Sequence, residues 1–169
     1  MKELIENDIW KWITDYIEAS HEFYDNKFSL CPFARKSRLS GNVAVFAWQT
    51  GSYRAFIEQR ILETSTVKVL VFPPSFRYNW FARYYVKNLN KKLVSKDMYA
   101  QCGNAVSTDS RYYGLGGNYS IVIINKLSDI LSGHQSLIGT DYYKNWTTRH
   151  YYNIVTVRQQ TKDKYEKIN

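Results

Sequence analysis

The stretch from Asn42 to Phe72 limits the fold more than any other part of the chain. In Asn42 to Trp48, Val43, Val45 and Ala47 alternate with Ala44, Phe46 and Trp48, so both faces of an extended segment are apolar. Val67 to Phe72 repeats this character. Between the two, Ser52 can cap a helix reaching about Thr64, with Tyr53, Phe56, Ile57 and Ile61 on one stripe. Strands apolar on both faces and joined through a helix favour parallel pairing in a covered sheet. The expected fold class is therefore α/β: a small sheet with a parallel βαβ unit flanked by helices. A chain of 169 residues suits a single domain of that kind.

Around this unit, Ile5, Ile9, Trp12, Ile13, Tyr16 and Ile17 mark an amphipathic N-terminal helix within residues 1–20, and its opposite face is acidic. Pro32 stands where a first helical residue tolerates proline, which predicts a short helix from Pro32 to about Leu39 with Cys31 at its N-cap. After Pro73-Pro74, Ser75 is the expected cap of a long helix ending near Leu93. A third strand is expected near Met98 to Cys102, then a loop over Gly103 to Asn118. Ser120 to Leu131 is ambiguous between strand and helix, and Leu127, Ile130 and Leu131 tip the reading towards helix. Thr140 is the expected cap of a helix through Tyr152, and the charged residues 160–169 are expected to fray.

Charge is unevenly placed. Residues 1–30 hold seven acids and three bases, whereas residues 31–169 hold twenty bases and eight acids. The basic body would attract phosphate-bearing or acidic partners, and the acidic first helix is expected to dock onto it and mask part of that surface. Abundant Lys, Asn, Ile and Tyr also accompany an AT-rich coding sequence, so charge alone does not specify a nucleic-acid ligand. No apolar run approaches the ~20 residues of a membrane span. Acids rather than bases open the chain, which argues against an export signal and for a cytoplasmic protein. Cys31 and Cys102 lack metal-ligand spacing, so neither a metal nor another cofactor is expected.

Two segments carry candidate chemistry. Between Ser75 and Lys96 there are six bases and no acid, and Arg83, Lys87 and Lys91 recur every four residues on one helical face with Trp80 at its edge and Arg77 upstream. Tyr doublets at Tyr84, Tyr112, Tyr142 and Tyr151 cannot bury both rings on one face. Cations beside partly exposed Tyr suit stacking on nucleic acid or contact with an acidic protein surface. The alternative centres on Cys31, where a helix N-terminus with Arg35, Lys36 and Arg38 nearby would favour the thiolate of an enzyme or redox protein. Arg35 and Arg38 are also candidate ligand contacts. Gly114 to Gly117 lacks the context of a phosphate loop, and His134-Gln135-Ser136 is only half of a two-histidine phosphodiesterase signature.

Cys31-Pro32-Phe33-Ala34-Arg35-Lys36-Ser37-Arg38-Leu39 resembles the active-site turn of omega-class glutathione transferases and one-cysteine glutaredoxins, which implies a nucleophilic role for Cys31. The preceding helix, Leu30-Cys31-Pro32-Phe33-Ala34, strand Val43 to Trp48 and Val71-Phe72-Pro73-Pro74 together resemble an uncharacterised bacterial family that includes hypothetical cyanophage proteins. That resemblance implies a βαβ core, brings no activity with it, and suits a phage-encoded accessory protein.

Overall fold

The computed structural model describes residues 2–78, 80–103 and 119–166, with the side chains of residues 77–83, 165 and 166 outside that description. Helix α1 (Lys2–Trp12) continues as a π-helical turn, Ile13–Ile17. Next come α2 (Ala34–Leu39), β1 (Val43–Ala47), α3 (Tyr53–Ile61) and β2 (Val67–Phe72). A 3-10 turn, Pro74–Tyr78, leads into α4 (Trp80–Leu93), followed by β3 (Met98–Gly103) and β4 (Ser120–Lys126). The chain ends with α5 (Leu127–Leu137), a short α6 (Thr148–Tyr151), a second π-helical turn, Tyr152–Thr156, and α7 (Val157–Glu166).

The four strands form one mixed sheet in the order β1-β2-β4-β3. β1 and β2 pair in parallel, Val43 opposite Val67 and Ala47 opposite Val71, as the doubly apolar strands predict. β4 lies antiparallel to both β2 and β3. Because side chains alternate along a strand, the sheet has two cores. On one face, Leu70, Phe72, Ala100, Val122 and Ile124 pack with Ile57 of α3 and with Val86, Leu89 and Leu93 of α4. On the other, Val45, Ala47, Val69, Val71 and Ile121 pack with Ile9 and Ile13.

The helical reading of Ser120 to Leu131 is corrected. Its first seven residues are β4, an inner strand, and the helical spacing belongs to α5. No glycine or proline marks the change. The boundary is made by Asp97, whose carbonyl accepts from the Leu127 N–H at 2.8 Å and whose carboxylate accepts from the Ser128 N–H at 2.8 Å. A cap from thirty residues upstream leaves no local signature.

Other helix starts also move. Ser75 lies within the 3-10 turn rather than capping α4, which begins at Trp80. Cys31 does not cap α2; its carbonyl accepts from the Ala34 N–H at 3.1 Å in a turn, and the helix starts at Ala34. Thr140 caps only the 3-10 turn Asp141–Tyr143. There the expected helix is interrupted because Asn145 donates to the Phe23 carbonyl at 2.7 Å and the Trp146 indole donates to the Tyr24 hydroxyl at 3.2 Å. Thr147 then caps α6. The chain stays helical through Glu166, although its charge pattern predicts fraying from residue 160. The loop expected over Gly103 to Asn118 lies outside the described residues, except for Gly103, which ends β3.

On each sheet edge a polar side chain from a helix engages the backbone of one residue. Glu6 of α1 accepts the outward Ala47 N–H of β1 at 3.2 Å. Asn90 of α4 is buried, donates to the Ala100 carbonyl at 2.8 Å and accepts its N–H at 2.7 Å. These contacts occupy groups that would otherwise template pairing with another chain. Among the described residues, no helix is long and apolar enough to cross a membrane.

Candidate functional site

Helix α4 buries Val86, Leu89 and Leu93 against the sheet, and this stripe sets which residues face out. At 100° per residue, Tyr84, Lys87 and Lys91 fall on the outer face, and all three are exposed. Tyr84 keeps 59% of its surface, whereas Tyr85, one position on, turns inward and donates to Glu58 at 3.0 Å. Glu58 also accepts from Arg54, so the acid on this side is already engaged at the Tyr85 edge of the helix. Among the described residues, no ion pair engages Lys87 or Lys91. The side chains of Arg77, Trp80 and Arg83 fall outside the described set.

Arg35 and Arg38 do not join this surface. Their helix, α2, packs against the Ile13–Ile17 turn on the opposite side of the sheet. Arg38 forms a two-bond pair with Glu18, at 2.7 and 2.8 Å, and the Glu18 side chain is almost wholly buried. Arg35 is exposed. The acidic N-terminal segment also lies away from α4. Its carboxylates serve the fold: Glu6 at the edge of β1, Asp8 accepting from Tyr119 at 3.1 Å, and Glu18 on Arg38. The expected masking of the basic surface is thus corrected for α4, because α1 covers the other face of the sheet.

Cys31 occupies a different environment from the one its sequence suggests. The residue is exposed, yet desolvation by the protein around it pushes its pKa up. The backbone N–H groups of Phe33 and Ala34, and then Arg158, oppose that shift without cancelling it. The expectation of a favoured thiolate is therefore corrected: desolvation outweighs the dipoles and charge. The Cys31 N–H donates to the Ile17 carbonyl at 3.2 Å, and Phe33 lies over Gly133 of α5, where an added Cβ would meet the ring at 2.8 Å. No disulfide joins Cys31 to Cys102.

A third constellation has no signature in the sequence. Arg158 of α7 is only 8% exposed. Its guanidinium donates to His134 Nε2 at 2.9 Å and to the Gln101 side-chain oxygen, and lies 5.8 Å from the centre of the Tyr99 ring. His134 Nδ1 is 2.7 Å from the Tyr143 hydroxyl. Arginine only donates, so His134 Nε2 must accept and Nδ1 carries the proton towards Tyr143. Burial, reinforced by the Arg158 charge, lowers the His134 pKa to about 4. Burial raises that of Tyr143 to about 12 and lowers that of Arg158. His134 belongs to the half-motif that lacks a second histidine; its partner is an arginine on another helix. Among the described residues, no cluster of His, Cys, Asp and Glu could hold a metal ion.

No family model, curated protein or solved structure matches the chain.

Proposed function

We propose that this is a non-enzymatic binding protein whose α4 surface contacts single-stranded nucleic acid. The observation that carries the reading is the outer stripe of α4, where exposed Tyr84 aligns with exposed Lys87 and Lys91, neither of which pairs with an acid among the described residues. Lysines one turn apart can follow a phosphate backbone, and an exposed ring beside them can stack on a base. Asn90 and the apolar stripe hold the helix rigidly on the sheet, so the spacing of these groups is set before any ligand arrives. The alternative, thiol chemistry at Cys31, draws less support because desolvation pushes its pKa up, away from the thiolate.

Two kinds of substitution separate charge from stacking. Lys87→Ala with Lys91→Ala should weaken binding to a single-stranded oligonucleotide and flatten the salt dependence by about 0.7 in log–log slope for each phosphate no longer neutralised. Tyr84→Ala should weaken binding while leaving that slope nearly unchanged, because stacking releases no counterion. Fluorescence anisotropy across a salt series reads both. An absence of wild-type binding to DNA and RNA at low salt rejects the nucleic-acid reading, and binding to an acidic protein under the same conditions would then identify the partner class.

A further inference from the structure

Arg158 brings a full positive charge to the sheet face opposite α4. It sits over β3, where Tyr99 and Gln101 project away from the α4 core. Isolating a cation there is unfavourable unless an opposite charge compensates it. Among the described residues none does: the hydrogen-bond partners of Arg158 are a neutral amide and an imidazole that must be neutral to accept from it. The bonds to His134 and Gln101 leave other N–H groups of the guanidinium to donate. The chain from Arg158 through His134 to Tyr143 uses the imidazole acceptor for the guanidinium and its one N–H for the Tyr143 hydroxyl, so it supplies no negative charge. The remaining polar hydrogens of this network are therefore donors around one positive charge. The Cys31 turn, at the exposed margin of this region, rests on α5 through Phe33 and Gly133. π-helical turns, which recur at functional sites, adjoin both parts: Ile13–Ile17 supplies the carbonyl that holds Cys31, and Tyr152–Thr156 immediately precedes the helix bearing Arg158.

We propose that Arg158, held in place by His134 and Gln101, forms a binding site for a small oxyanion, a carboxylate or phosphate group seated against the guanidinium. An acceptor-only anion complements a donor-lined cationic site, and a guanidinium matches the paired oxygens of either group. The site is independent of the α4 surface, since it lies on the other face of the sheet.

The test titrates the whole protein with inorganic phosphate and, separately, with acetate, at constant ionic strength made up with chloride. Thermal unfolding and the ¹⁵N resonances of the His134 ring are followed together. Saturable stabilisation accompanied by a shift of both His134 nitrogens is expected with at least one oxyanion, and the more effective one identifies the group recognised. Arg158→Gln should weaken that binding by on the order of tenfold or more, whereas Lys87→Ala with Lys91→Ala should leave it intact. Stabilisation that chloride matches, or that survives in Arg158→Gln, overturns the site. Should Arg158→Gln fail to fold, the wild-type His134 resonances decide, and their indifference to both anions would mean that Arg158 is a structural arginine only.

Discussion

His134 accepts from a guanidinium, and that single contact sets both its tautomer and its response to pH. Protonating Nε2 would replace an acceptor with a donor facing Arg158 N–H groups, and burial further penalises the second charge. The folded pKa near 4 lies below the unfolded value of about 6.5, so the unfolded chain binds more protons between those limits. The contribution of His134 is thus fully present above about pH 6.5 and is lost as pH falls towards 4. Chemical denaturation from pH 7 to pH 4 should show this decline, and His134→Gln, which keeps a neutral acceptor, should remove that part of it. Equal pH dependence in the two proteins would show that His134 protonates without resistance.

At the scale of elements, the helices finish the sheet as well as cover it. Asn90 occupies both backbone groups of Ala100, and removing its amide leaves a buried N–H and a buried carbonyl without that partner. Each such loss costs about 1–3 kcal/mol, so Asn90→Ala should destabilise by roughly 2–6 kcal/mol in urea unfolding and make the β3 edge more prone to association. A change below about 0.5 kcal/mol, the range of ordinary surface substitutions, would show that solvent replaces the amide without penalty. The Tyr doublets follow a similar division of labour. Tyr142 is buried and donates to the Leu30 carbonyl at 2.7 Å, while Tyr143 beside it reaches His134; Tyr85 turns inward while Tyr84 stays out. Adjacent side chains diverge by about 100° in a helix, so a doublet spans two environments, and the tertiary contacts select which ring faces which.

For the whole molecule, the two cores divide the sheet between different parts of the chain. The N-terminal helix and its π-helical turn cover Val45, Ala47, Val69, Val71 and Ile121, while α3 and α4 cover the other face. Deleting Met1 to Ala19 should therefore expose one side of the sheet, free the Ala47 edge, and lower both solubility and thermal stability. Size-exclusion chromatography with thermal unfolding checks this; a truncated chain that stays monomeric and equally stable would show that α1 is an appendage. The same arrangement separates the acidic segment from the basic stripe on α4, so the first helix leaves that stripe uncovered.

Local pattern was enough for the parallel β1–α3–β2 unit, because doubly apolar strands and a Ser-capped helix leave few other ways to bury Val45, Ile57, Val69 and Leu70. It was also enough for the outer position of Lys87 and Lys91, which follows from helical spacing against an apolar stripe. Periodicity could not place the boundary between β4 and α5, since Asp97 supplies the cap from a distance. Nor could it show that Arg38 is held by Glu18 or that the Cys31 thiol is desolvated, because both depend on how α2 meets the first helical segment. The Arg158 network was hidden for the same reason. Its groups come from β3, α5, the turn after α5, and α7, and only the packing of those elements on one face of the sheet brings a charge and its neutral acceptors together.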